Sequence, residues 1–593
     1  MKKFILPILA CAFLATTSCE SMLDIPQKGV VSYENFYASD DDALAALTSM
    51  YANYLMQVAS TEGIDNPEQV MLNYAADDVM AAGGNPKDHE PFRYFCEFTY
   101  DNQNGTLKQA YQRYYTAIYH ANLVICNFTN EGGTEPKFTS DFTNQAVAEA
   151  RVMRAYLHMM LALSWERPPI VDHLITGDER PSNAESQAQI LEWVIAECEK
   201  AIASGALPKR NGTGDKDATA RMSKGFAQFV AGKAAMFNND PATARKYLGD
   251  LINSGDYALI PSEEYWTNFH VSGDGNSEKI FEPNFIEDPA YTNNGWGSGQ
   301  PIFRGRWMVA NVFCWRTDAL ASQPLPHDGF QGWNGGGIQE TFAEKFLAHD
   351  GNSPRRRACF LTGDEWLYEM EWNSELNDAS LAEKKKDPKR GISSASGVFS
   401  HGPYFEWKHM VFVNPPKILT GGKEYPSDHV TGLGPASNQK NFNVARYAEA
   451  LLLYAEACID SGDAAKGLAA LNEVQERSGS GKVSSKLTFE DVMEEKQYEM
   501  WFENCRFHDL VRWSKQGKVD LDQIFNKSGI HTKVPTVYDA FFTDGEAEHR
   551  LYTKYESLNA GFVVGKHEYF PFPYDFMVVN PNLKNVGGWA SAE

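Results

Sequence analysis

The chain has 593 residues, a formal net charge of −24, and 43% hydrophobic and 13% aromatic content. So acidic a chain repels phosphate backbones and anionic bilayer surfaces, which argues against nucleic acid as a partner, while its apolar content is ample for a packed core. Its nine cysteines contain no C-x-x-C pair, which argues against a zinc ribbon or a disulfide framework and leaves several of them as small core residues.

In chain order, Lys2 and Lys3 precede an apolar run from Phe4 to Ala15. About a dozen residues make a secretory h-region and fall short of the roughly 20 that a membrane-spanning helix needs. Cys19 follows Thr16, Thr17 and Ser18, a pattern that resembles a bacterial lipoprotein signal with cleavage before the cysteine and acylation on it. The competing Cys11 in "ILAC" would leave an h-region of only Phe4 to Ala10, interrupted by Pro7, so lipidation is placed on Cys19 and residues 1–18 are taken as the signal peptide. Loss of the two leader lysines takes the charge from −24 to −26.

"SDDDALAALTSMYANYLMQ" predicts a helix with Asp40 to Asp42 at its positive end. A Gly-rich acidic loop follows, "YAADDVMAAGGNPKDHEPFRYFCEFTYDNQN". "LKQAYQRYYTAIYHANLVICN" and "AVAEARVMRAYLHMMLALSW" predict two further helices. "ARMSKGFAQFVAGKAAMFNNDPATARKYLGDLINSGDY" predicts a helix pair turning at "NNDP", with Pro241 in the first turn. Between Tyr265 and Gln439 helical periodicity fades into Gly, Asn and Pro, and eight of the 13 tryptophans lie from Trp266 to Trp407. Long aromatic loops on a helical scaffold more often carry function than filler.

The clearest pair is "ARYAEALLLYAEACIDSGDAAKGLAALNEVQERSG", Ala445 to Gly479, close to the 34-residue tetratricopeptide (TPR) period. Gly462 suits the end of its first helix, and Asp463 is expected to cap the second. The units are scattered along the chain rather than tandem, unlike a regular solenoid.

"EMWFENCRFHDLVRW" gathers Glu499, Glu503, His508 and Asp509 and invites an acid–base reading. Glu503 and Arg506, Arg506 and Asp509, and Asp509 and Arg512 each lie three residues apart, so the expectation is pairing along one helix face and a structural role. In "GDGNSE", Asp274, Asn276 and Glu278 alternate like part of a calcium loop; an ordinary Gly-rich turn is the reading taken, with no cofactor. H-E-x-x-H, P-loop and G-x-S-x-G motifs are absent.

These landmarks carry a resemblance. "CESMLDIPQ", "EARVMRAYLHMMLALSW" with Arg151 and Arg154 in register, "EKIFEPNF", "YAEALLLYAEACIDSGD" with "LNEVQERSG", "EEKQYEMWFENCRFHDLVRW" and "YFPFPYDFMVVNPNLKNVGGW" resemble, in order, motifs of the SusD/RagB family of outer-membrane nutrient-binding lipoproteins. Lys496 and Gln497 stand where that family usually has arginines, Asn504 where it usually has glycine, and "SWERPPIV" departs too. The resemblance implies a mostly α-helical body of four TPR-like helix pairs, with irregular loops and short strands forming the ligand face. It implies N-terminal (19–264) and C-terminal (265–593) regions interwoven in one compact unit. It also implies a lipid-anchored, surface-exposed outer-membrane protein that captures glycans or other nutrients, delivers them to a SusC-like TonB-dependent transporter, and performs no chemistry.

A sugar ring offers a flat C–H face to an aromatic side chain, while carboxylate, amide and guanidinium groups take its hydroxyls. Two loop zones offer that mixture, and the family builds its sites from such zones. One holds Asp77, Asp78, Arg93, Tyr94 and Phe95; the other holds Tyr291, Trp296, Arg304, Trp307, Trp315 and Trp333. The glycan itself is left open by the sequence, since a local basic patch at Arg304, Arg306 or Arg355 to Arg357 could offset the overall charge. Two other readings are a secreted helical glycoside hydrolase or lyase, which needs two carboxylates about 5–10 Å apart, and a TPR-like protein-interaction scaffold, which leaves the tryptophan loops without a purpose.

Overall fold

The computed structural model describes residues 36–58, 66–83, 88–216, 218–285, 313, 335–362, 365, 404–429, 439–527, 533–539, 552–557 and 561–592. Cys19 and the leader lie outside them. Among the described residues no helix is long and apolar enough to cross a membrane.

Helices α1 (Asp40–Val58), α2 (Pro67–Tyr74), α3 (Glu90–Cys96), α4 (Gly105–Phe128), α5 (Asp141–Trp165), α6 (Gln187–Ala203), α7 (Lys224–Phe237) and α8 (Pro241–Ile252) fill the first half. In the second half α9 (Glu340–Asp350), α10 (Pro354–Cys359), α11 (Lys417–Thr420), α12 (Tyr447–Ser461), α13 (Ala464–Ser478), α14 (Phe489–Glu499), α15 (Arg506–Lys515) and α16 (Tyr574–Val579) follow. Local chemistry sets many of the starts. Asn104 accepts from the backbone N–H groups of Thr106 and Leu107, Ser223 from that of Phe226 and Asp240 from that of Thr243. Ser140 and Thr143 form a capping box on α5. Gly462, at φ 85°, ends α12 as expected. Asp463 behaves otherwise: its carboxylate caps no backbone N–H and instead accepts from Lys466 Nζ at 2.8 Å.

Four antiparallel pairs, α1/α4, α5/α6, α7/α8 and α12/α13, make the TPR-like scaffold, and each pair packs on the next. Scattered in sequence, the pairs are contiguous in space: α12 lies directly on α8 although nearly 200 residues separate them. Close approach is built in. A Cβ at Gly232 would lie 2.5 Å from Leu248 Cγ across α7/α8, and one at Gly467 would lie 2.6 Å from Cys458 Cβ across α12/α13.

Strands are short and antiparallel: β1 (Val79–Ala81) with β3 (Gly336–Ile338), β2 (Lys279–Phe281) with β6 (Ala445–Arg446), β4 (Phe360–Thr362) with β5 (Tyr404–Glu406), and β7 (Lys533–Asp539) with β8 (Tyr552–Ser557). The first two ribbons stitch distant parts of the chain together. Val79 lies opposite Ile338, and Lys279 opposite Arg446.

The charged segment near residue 500 is not one helix. It stops at Glu499 and resumes at Arg506, with Phe502 (φ 61°) and Asn504 (φ 64°) in the left-handed region between. The break takes Glu503 off the helix that carries Arg506, Asp509 and Arg512. Of the three expected pairs, Asp509–Arg512 forms, at 2.9 Å within α15. Glu503 turns instead to Arg446 and Lys408, and Arg506 to Asp77.

Candidate functional site

The first loop zone has a buried floor and an exposed lip. Asp77 and Asp78 are buried. Asp77 accepts a bidentate pair from Arg506, Nε at 2.7 Å and Nη2 at 2.8 Å. Burial, then the adjacent Asp77 carboxylate, push the Asp78 carboxyl well above the usual carboxylate range. Its backbone carbonyl accepts from Trp501 Nε1 at 3.0 Å and from the Gln339 N–H at 3.1 Å. These contacts pin the chain where it enters β1.

On α3, Phe92 and Phe95 point inward. Phe95 stacks on Tyr100 at 5.1 Å, and Phe92 stacks between Tyr74 (4.9 Å) and His89 (5.1 Å). Arg93 and Tyr94 face outward. The Arg93 guanidinium pairs with Glu97 at 2.6 Å, and Tyr94 is 36% exposed. Of the five residues expected here, these two reach solvent, while Asp77, Asp78 and Phe95 hold the loop from beneath. The remaining candidates, Tyr291, Trp296, Arg304, Trp307, Trp315 and Trp333, lie outside the described residues. The tryptophans that bound the aromatic stretch, Trp266 and Trp407, are 2% and 1% exposed and belong to the core.

The acid–base candidates are spent on cations. Arg446 donates Nε and Nη2 to Glu503 at 2.7 and 2.8 Å, and Nη1 to Glu278 and Glu499, both at 3.0 Å. Arg477 pairs with Glu278 and Glu499, and Arg355 with Asp350, Glu495 and Glu499. Lys408 donates to Glu503 at 2.7 Å. Although burial opposes it, the charges of Arg446 and Lys408 hold Glu503 down to about 2. His508 is buried, lowered to about 3 by desolvation, and within 3.2 Å of the Ser164 hydroxyl. A carboxylate held ionised by two cations is a poor general acid.

In the "GDGNSE" turn, burial, then the Glu282 carboxylate, push the Asp274 carboxyl up to about 8, while Asn276 and Glu278 are spent internally. Glu278 serves Arg446 and Arg477, and the Asn276 side-chain oxygen accepts from the Glu278 N–H at 2.9 Å. The Lys279 ammonium occupies the oxygen cluster beside it, donating to the Asn268 carbonyl at 2.6 Å and pairing with Glu282 at 2.7 Å. Sequence reasoning did not foresee this internal cation, nor the partner of Asp77.

A stack of four TPR-like helix pairs, stitched by short ribbons and bearing an exposed Tyr94 above a buried acidic floor, defines a mostly helical scaffold. Residues 423–589 match the SusD family model. A SusD-like protein of Formosa agariphila is 21% identical over 547 residues, covering 88% of this chain and 93% of that protein. Among solved structures, a laminarin binding SusD-like protein superposes with a TM-score of 0.68 at 20% identity, covering 93% of this chain and all of the other. Surface glycan-binding protein A from Bacteroides thetaiotaomicron, in complex with laminarihexaose, superposes with a TM-score of 0.66 at 19% identity, covering 93% and 99%. The chain is thus similar to SusD-like proteins over nearly its whole length, and its C-terminal part matches that family's model.

Proposed function

We propose that this protein is a lipid-anchored glycan-binding protein of the outer-membrane surface. It captures oligosaccharide on its loop face and delivers it to a SusC-like TonB-dependent transporter, without chemistry of its own. The observation that carries the reading is the near full-length correspondence to SusD-like proteins whose names record laminarin or laminarihexaose. Tyr94, exposed on a short helix with both flanking phenylalanines anchored, supports it, because a rigid ring loses little freedom on stacking against a sugar. In this reading Arg93 takes hydroxyls beside Tyr94, and Tyr291, Trp296, Arg304, Trp307, Trp315 and Trp333 complete the platform. Cys19 carries the acyl chains, each buried methylene adding about 0.8 kcal/mol of membrane affinity.

Calorimetric titration with laminarihexaose and a panel of other oligosaccharides tests the binding. Saturable heat without new reducing ends is expected; appearance of new reducing ends would overturn the non-catalytic part. Fractionation of the Cys19→Ala variant tests the anchor, which is wrong if that variant stays in the membrane fraction.

A further inference from the structure

A concavity of about 280 Å³ lies between the 3-10 helix Ser262–Phe269, the start of α10 and the segment that runs from α11 to Tyr425. None of the described candidates of the first loop zone, Asp77, Asp78, Arg93, Tyr94 and Phe95, lines it. Its apolar lining comprises the half-buried Ile418 and Tyr425 together with Leu419 and Trp266, the last only 2% exposed. Tyr425 stands edge-on to Trp266 at 4.8 Å and fixes one wall. The indole N–H of Trp266, itself buried, finds no acceptor among the described residues.

The rim carries both signs of charge. Glu263 lies on one side and Arg357 and Lys423 on others, with the Asn352 amide between. Arg357 gives its Nε to Glu365 at 3.0 Å, but the side chains of Glu263 and Lys423 and the Tyr425 hydroxyl are hydrogen-bonded by no other described residue. Gly421, at φ 61°, ends α11 and turns the chain so that Lys423 and Tyr425 flank the opening.

From this geometry we infer a second carbohydrate subsite, one that takes a single uncharged sugar ring or chain end; the inference rests on the carbohydrate reading of this protein. The volume is near the lower end of the roughly 300–1,000 Å³ usual for small-molecule sites, which suits one ring rather than a run of polymer. The half-buried Tyr425 ring and Ile418 side chain match a pyranose C–H face, and donors and acceptors around the mouth match hydroxyls, which both give and accept hydrogen bonds. A fixed anion would meet Glu263 and a fixed cation would meet Arg357 and Lys423, so an uncharged ring fits best.

The test uses full-length protein labelled with 5-fluorotryptophan, the Trp266 signal being assigned from the Trp266→Phe spectrum. Glucose, galactose, mannose and xylose are titrated to millimolar concentration. At least one is expected to move the Trp266 signal saturably. Tyr425→Ala should weaken that response about tenfold, and Ile418→Trp, which fills the cavity, should abolish it, both variants melting as wild type. A Trp266 signal unmoved by all four sugars, or moved equally in Ile418→Trp, overturns the subsite. Retention of laminarihexaose affinity in Ile418→Trp alongside its loss in Tyr94→Ala would then leave the proposed function standing. Silence to every probe at both places sinks the two together.

Discussion

Replacing Arg446 with Met tests what the buried charge cluster contributes to the fold. Arg446 lies at the start of α12, and its guanidinium meets Glu278, Glu499 and Glu503 at 2.7–3.0 Å. In the surrounding buried cluster Arg355, Arg446, Arg477 and Lys408 face Asp350, Glu278, Glu495, Glu499 and Glu503, an excess of one negative charge. Burial pushes Glu495 above the usual carboxylate range, against the pull of Arg355 beside it. Without Arg446 the excess becomes two, in a site that water does not reach. Breaking a buried pair by removing one partner costs about 3–5 kcal/mol. The lowering of Glu503 from 4.5 to about 2 gives an independent figure of about 3 kcal/mol for that carboxylate alone. Urea unfolding at neutral pH should therefore show Arg446→Met less stable by about 3–5 kcal/mol. Adding Glu503→Gln should recover at least about 1 kcal/mol relative to the sum of the single variants. A loss below about 1 kcal/mol, the range of an exposed pair, or strict additivity of the two changes, would refute the reasoning.

Tyr94→Ala should weaken oligosaccharide binding by about 1 kcal/mol or more in calorimetric titration, with the melting temperature unchanged; unaltered affinity removes Tyr94 from the platform. Asp78→Asn probes the buried floor. Because the folded state keeps a proton on Asp78 that the unfolded chain releases above about pH 4, wild-type stability from this group falls as pH rises toward the raised folded value, by at most about 1.4 kcal/mol per pH unit. The amide carries no such charge, so the stability of Asp78→Asn relative to wild type should improve between pH 5 and pH 8 in urea unfolding, and a constant difference would show that Asp78 is ionised in the fold.

The helix pairs were legible because their signals are local. Apolar spacing, the "NNDP" turn with Pro241, and Gly462 at a left-handed C-terminus act within a few residues of the structure they set. The break between α14 and α15 was not legible, because what holds it lies far away in sequence. The Asn504 side chain accepts from Asn73 Nδ2 at 2.7 Å and its backbone N–H donates to Asn73 Oδ1, while Arg506 reaches Asp77. No period within "EMWFENCRFHDLVRW" records those partners. The burial of Asp77 and Asp78 escaped for the same reason: two acids before a Gly-rich stretch read as exposed until Arg506 is known to lie under them. Trp266 was visible as a tryptophan, but the turn that sets Tyr425 against it comes from a segment more than 150 residues later.

The division between buried and exposed parts bears on the proposed binding of sugar. Arg446 and Arg477 join the start of α12 and the end of α13 to Glu499 at the end of α14. The turn that follows presents Trp501 and leads to Arg506, and these two fix Asp78 and Asp77 at the entrance to β1. From β1 the chain runs into the loop before α3, where Phe92 and Phe95 sink into the core and leave Tyr94 outside. The cost of ordering that ring is met when the protein folds rather than when sugar arrives, which favours affinity without adding a contact. In the proposed function, buried charge acts by position: it sets the orientation of Tyr94 and supplies no group that touches the ligand.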